Sequence, residues 1–175
     1  RDLIRWVKLP FGHRDTTASW ELASDVAFIQ DLNRSLKGGK PFMLMESTPS
    51  QVNWQPVNKL KRPGMHRLSS LQAVAHGSDT VQYFQWRKSR GASEKFHGAV
   101  VDHVGHEHTR VFQDVAGVGS DLEKLSAVLG STVRPDVAIV YDWENRWAID
   151  DAQALRNGHG EKKSEEVCKD HYRAF

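Results

Sequence analysis

The stretch Pro41-Phe42-Met43-Leu44-Met45-Glu46-Ser47-Thr48-Pro49-Ser50 decides the fold. Its first half is apolar at successive positions and too short for a helix. A run of that kind reads as a strand buried on both faces, as in a parallel sheet covered by helices. It ends on a carboxylate, Glu46, and opens into residues 47–63, a long loop with three prolines and many polar groups.

Working outward, Gly38-Gly39 just before the strand is a helix stop, because glycine takes the left-handed conformation that closes helices. Residues 16–37 ahead of it form a helix: Trp20, Leu22, Ala23, Val26, Ala27, Ile29, Leu32 and Leu36 recur near a 3.6-residue period and make one stripe. On the other side, residues 64–77 read as a helix ending at Gly77, and residues 79–86 as the next strand. A loop with Gly91 and Gly98 follows, then a helix from Thr109 to Leu129 that holds Gly117 and Gly119 inside it. Residues 2–7 read as a short first strand ending at Pro10. Strands thus alternate with helices, and each lies a helix length from the next, which predicts an α/β protein with a parallel sheet. Gly130–Pro135 has the composition of a linker. Beyond it, residues 136–142 read as a new buried strand whose Asp142 caps a short helix carrying Trp143 and Trp147. Residues 156–164 are a polar loop, and residues 164–173 a further helix. No internal repeat or low-complexity tract interrupts this order.

Composition removes whole classes of function. Of 175 residues, 26% are charged and 39% hydrophobic, a globular balance rather than a disordered one. A net charge of +2 leaves no basic surplus for nucleic acid or an anionic membrane. Cys168 is the single cysteine, so no internal disulfide framework exists. No apolar run approaches the ~20 residues of a membrane span. Arg1 leads straight into Asp2-Leu3-Ile4 without an initiator methionine or a signal peptide, as if cut from a longer chain. Six tryptophans and nine histidines are many for this length, and polar-tipped rings suit sugar sites as well as cores.

Glu46 is the first candidate for chemistry, since ligands of parallel α/β sheets and barrels sit at the carboxyl ends of strands. Position alone equally describes, and indeed favours, a solvated strand-end glutamate. Glu94 and His97 follow in the loop after the next strand, where plain solvated side chains are the ordinary reading. Neighbouring parallel strands would set that loop beside the one holding Asn53 and Trp54. Carboxylate, imidazole, amide and indole together make a sugar pocket, with polar groups on the hydroxyls and a flat ring against the C–H face. Trp54 could as well be a packing aromatic. Asp102-His103-Val104-Gly105-His106-Glu107-His108 suggests a metal site, but it lacks the spacing that puts two histidines on one helical face, and polar loop histidines are the better reading. Asn33-Arg34-Ser35 matches a glycosylation sequon without other support, Cys168 reads as an inert thiol, and Lys59-Leu60-Lys61-Arg62 as a solvated basic loop.

Taken together, the motif around Glu46 followed by Val52-Asn53-Trp54 resembles the nucleophile segment of glycoside hydrolase family 42 β-galactosidases. Lys61-Arg62-Pro63-Gly64, Gln82-Tyr83-Phe84-Gln85-Trp86-Arg87 and Gly91-Ala92-Ser93-Glu94-Lys95-Phe96-His97-Gly98 extend the resemblance. Residues 137–147 resemble the start of that family's second domain. The resemblance implies the C-terminal portion of a (β/α)8 TIM barrel over residues 1–130, then the beginning of an α/β, flavodoxin-like trimerisation domain over residues 131–175. A whole barrel needs ~250 residues and eight strands, so the resemblance implies a fragment that is inactive alone.

The family implies a retaining double displacement on terminal β-galactose. Glu46 matches the nucleophile, Trp54 an indole lining the galactose subsite, and Glu94 and His97 residues that bind galactose hydroxyls. The partner acid/base follows an asparagine on an earlier strand of the family. Asp2, Asp15, Glu21, Asp25 and Asp31 precede Glu46 here, and none sits in such a motif. Trp6-Val7-Lys8-Leu9-Pro10 also departs from the Trp-Asp-x-Tyr-Pro expected of the first strand. The resemblance implies a β-galactoside or galacto-oligosaccharide substrate and a homotrimer in the full-length protein; no cofactor or metal is expected, the charge balance and the lack of a long apolar run leave no nucleic-acid or membrane partner, and near-neutral charge with a lone cysteine and abundant Trp and His suits a cytoplasmic location. Two other readings stay open: a retaining glycosidase of the same barrel clan acting on an arabinoside or fucoside, and a non-catalytic oligomerisation piece.

Overall fold

The computed structural model describes residues 18–36, 38–55, 58–152 and 164–175. Their elements run α1 (Ser19–Ser35), β1 (Phe42–Ser47), α2 (Met65–Ala75), β2 (Ser78–Tyr83), a 3-10 turn (Ser93–Phe96), α3 (Arg110–Lys124), a second 3-10 turn (Ser126–Val128), α4 (Trp143–Asp151) and α5 (Ser164–Arg173). The strand expected at residues 2–7, the Val7 and Leu9 departures and most of the polar loop at 156–164 lie outside the described residues. The chain divides into two compact units, one ending at Val133 and one spanning Arg134–Phe175.

In the first unit α1 buries Val26 and Ala27 of the expected stripe together with Phe28, which lies outside it, and Val26 packs with Leu22 and with Met65 of α2. Trp20 and Leu36, at the ends of that stripe, are exposed. The helix closes one residue before Leu36, and Gly38 and Gly39 take φ of +64° and +78° to turn the chain into β1. α2 is tied to its neighbours by polar bonds. Gln72 Nε2 donates to the Ala23 carbonyl of α1 at 2.9 Å, and Arg67 Nε to Asp121 Oδ2 of α3 at 2.5 Å.

β1 and β2 pair in parallel, with Leu44 opposite Val81 and Ser47 opposite Tyr83. The expected parallel sheet is therefore present, with the helix α2 as its crossover. The expected burial on both faces is not. Phe42 and Leu44 are half-buried, whereas Met43 and Met45 are 52% and 58% exposed. One side of this strand has no cover among the described residues. β2 ends at Tyr83, three residues before the expected end, because pairing changes partner there. Gln85 and Trp86 accept from the Val100 and Val101 amides at 2.9 and 2.8 Å, and Lys88 N returns a bond to Val101 O at 3.0 Å.

α3 starts where Thr109 caps it, its hydroxyl accepting from Phe112 N at 3.3 Å. The helix ends at Lys124 instead of running to Leu129, and residues 126–128 tighten into a 3-10 turn.

In the second unit Asp142 caps α4 as expected, accepting from Asn145 N at 3.0 Å. The buried strand expected at 136–142 is absent. These residues adopt no regular element, and Val137 and Val140 are exposed. A strand needs a neighbour for its amides and carbonyls, and the described residues of this unit supply only helices. Trp143 and Trp147 are exposed too; Trp143 rests edge-on against Tyr141 with Arg146 over its ring. α4 and α5 are joined by Arg146 Nη2 and Glu165 Oε2 at 3.0 Å.

Candidate active site

Glu46 is the fifth residue of β1 and stands exposed at its carboxyl end. The chain then dives inward: Ser47, Thr48, Pro49 and Ser50 are buried. Thr48 Oγ1 donates to the Gln51 carbonyl at 2.9 Å and curls the segment into a tight turn. Val52 is buried, while Asn53 and Trp54 emerge again, Trp54 50% exposed.

Glu94 lies in the 3-10 turn after β2, and His97 ends it. The two loops are stitched together. Gly98 N donates to Gln51 O at 2.8 Å, Gln51 Nε2 to Phe96 O at 3.1 Å, and Asn53 Nδ2 to Ser93 O. The structure thus brings the Glu46 loop and the Glu94–His97 loop side by side, as adjacent parallel strands require. His97 is buried; its Nδ1–H donates to the Gly98 carbonyl at 2.9 Å and its ring meets Phe84 edge-on. Glu94 is half-buried, and its Oε2 is buried with no hydrogen-bond partner among the described residues.

The histidines at 103, 106 and 108 are exposed, and among the described residues no group of three His, Cys, Asp or Glu side chains is placed to hold a metal ion. No described helix is long and apolar enough to cross a membrane. Cys168 is a free, half-buried thiol of α5. In the basic run, Lys59, Leu60 and Arg62 are exposed as expected, but Lys61 is not: it is 2% exposed and its Nζ donates to the Thr48 carbonyl at 2.6 Å. His66 lies close by, fully buried, both ring nitrogens unpartnered among the described residues. Burial, and then the charges of Lys61 and Arg110, pull its pKa down to about 3 and keep it neutral. Sequence reading passed over Gln51, and took Lys61 for a solvated cation and Gly98 for an ordinary loop glycine.

Fold and loops together define an α/β protein in which two parallel strands lead into loops that lie side by side. A family model described as beta-galactosidase matches residues 1–125, and one described as beta-galactosidase trimerisation domain matches residues 135–175. The chain is 62% identical to beta-galactosidase Pbg of Clostridium perfringens over 99% of its own length and 25% of that protein. It is 55% identical to beta-galactosidase GanA of Bacillus subtilis over the same shares, 99% and 25%. Among solved structures, the cold-adapted beta-galactosidase from Rahnella sp. R3 superposes with a TM-score of 0.83 at 63% identity, covering 88% of this chain and 22% of that one. A catalytic mutant of Gan42B, a family 42 beta-galactosidase from G. stearothermophilus, gives 0.85 at 57%, covering 93% and 23%.

The chain belongs to the glycoside hydrolase family 42 β-galactosidases. It spans about a quarter of the length of the curated relatives it matches. Its fold is α/β, a section of the family's barrel with part of the trimerisation domain.

Proposed function

We propose that this chain is part of a retaining β-galactosidase, with Glu46 as nucleophile and Trp54, Glu94 and His97 lining the galactose subsite. Residues 1–130 then belong to the catalytic barrel and residues 131–175 to the trimerisation domain. The carboxylate of Glu46 attacks the anomeric carbon and the aglycone oxygen leaves, taking a proton from a second carboxylic acid about 5–5.5 Å away. Water, deprotonated by that second group, then releases galactose from the covalent ester. None of the carboxylates that precede Glu46 sits in an asparagine-glutamate motif, so the acid/base belongs to a segment beyond these 175 residues.

The observation that carries this reading is the unpartnered, buried Oε2 of Glu94 on a loop bonded to the loop after Glu46. A buried carboxylate oxygen without donors is costly, and sugar hydroxyls are donors. The homotrimer is supported by the match of residues 135–175 to the trimerisation domain. The cytoplasmic placement is supported by the single cysteine and the near-neutral charge.

The test is covalent trapping. Incubating the full-length protein with an activated 2-deoxy-2-fluoro-β-galactoside should leave the sugar on the peptide containing Glu46. Azide should rescue the Glu46→Ala variant, and the 175-residue chain alone should not turn over a chromogenic β-galactoside. A label on any other carboxylate sinks the nucleophile assignment.

A further inference from the structure

Lysines are seldom fully buried, and two among the described residues are: Lys61 and Lys169. Lys169 is easily understood. Its ammonium sits between Glu165 and Glu166, a local pairing within α5. Lys61 has no carboxylate partner among the described residues. Its one side-chain bond goes to a backbone carbonyl, that of Thr48. The groups that face it are cationic or neutral: neutral His66 on α2, with the ring of Tyr83 of β2 tilted against that imidazole, and Arg110 of α3, whose guanidinium donates to the Lys61 carbonyl at 2.9 Å. Lys61 N also donates to Ser50 O at 3.3 Å.

A buried ammonium with a single neutral partner opposes folding, and an apolar side chain of that size would pack at lower cost. Packing therefore does not account for it. What the ammonium grips is the turn Ser47–Ser50, which leaves the strand directly after Glu46 and leads to Asn53 and Trp54. α2 and α3 anchor the lysine from behind, through the chain entering α2 and through Arg110.

We propose that Lys61 is a positioning residue for the nucleophile: its buried ammonium clamps the Thr48 carbonyl and so fixes the turn that sets Glu46 and Trp54. The proposal rests on the reading of Glu46 given above. Below its pKa the lysine is an ammonium, and a charged donor makes the stronger bond. Burial lowers that pKa from 10.5 to about 8, so the clamp weakens as pH rises through about 8.

The test uses the full-length enzyme and a dinitrophenyl β-galactoside, whose leaving group needs no protonation, so that the acid/base contributes no alkaline limb. Wild type should lose kcat above about pH 8. Lys61→Arg, which holds its charge, should keep a flat profile to pH 10, whatever its absolute rate. Lys61→Met should lower kcat on the order of 10²-fold, the size expected of a displaced catalytic group, with KM within about threefold and no loss of thermal stability. Amide exchange over residues 47–52 should quicken in Lys61→Met while α2 and α3 stay protected. Wild-type kcat and pH profile in both variants would overturn the proposal, as would loss of protection throughout α2 and α3. If wild type itself hydrolyses no galactoside, the function proposed for Glu46 fails, and exchange over residues 47–52 still decides the clamp.

Discussion

A Cβ added at Gly98 would lie 2.7 Å from the carbonyl oxygen and 2.8 Å from the amide nitrogen of Gln51, and 3.1 Å from Thr48 Oγ1. The first two neighbours are backbone and cannot swing aside. Gly98→Ala must therefore push the Glu46 loop away from the Glu94–His97 loop and break the bond from Gly98 N to Gln51 O. Overpacking of this kind costs about 1–3 kcal/mol. In the full-length enzyme the expected outcome is a lower melting temperature together with a fall in kcat, read by calorimetry and steady-state kinetics. A drop in stability with unchanged turnover would show that the loops' separation does not matter to the site. At this scale the sequence is unevenly legible. Glu46, Trp54, Glu94 and His97 stand in contiguous motifs and could be singled out from them. Lys61 could not, because burial depends on what covers a residue, and a lysine between Leu60 and Arg62 reads as solvated. Gly98 could be seen as a loop glycine, but its near contact comes from residues about fifty positions away.

Element boundaries follow the same division between local and distant causes. Thr109 and Asp142 cap their helices as expected because capping is settled within three residues. The parallel order of β1 and β2 was legible in the alternation of strands and helices. The strand expected at 136–142 was not formed, since apolar composition cannot supply the neighbour a strand needs. Likewise the two-sided burial expected of β1 depends on chain that the described residues do not contain. Inside α3, Gly117 and Gly119 neither break the helix nor meet any atom within 4 Å of an added Cβ. Their cost is therefore one of propensity alone. In the full-length protein Gly117→Ala should stabilise by about 1 kcal/mol, measured as a shift of the urea midpoint at constant slope. A destabilised variant would mean that this face of α3 packs closely against a segment beyond these residues.

For the molecule as a whole, the decisive quantity is apolar surface left without cover. Met43 and Met45 face outward from β1 at more than half exposure, and Trp54, Trp86 and Phe96 are exposed on the same unit. β1 pairs with β2 on one edge only, among the described residues. Parallel sheets in helix-covered folds are ordinarily buried on both faces, and an unpaired edge beside an apolar face is a template for association with other chains. The relatives carry about four times this length of chain, enough to close a barrel over that face. The 175-residue chain expressed alone should therefore self-associate through β1, giving a broad, concentration-dependent distribution in sedimentation velocity. The oligomerisation reading, carried by residues 136–175, makes the opposite demand. An interface built for three copies would give one sharp boundary at the mass of a trimer, stable on dilution. Substituting Met43 and Met45 with threonine separates the causes: it keeps strand propensity, removes most of the apolar face, and should narrow the distribution toward monomer. A discrete trimer that survives those substitutions would assign assembly to the second unit instead of to the open barrel face.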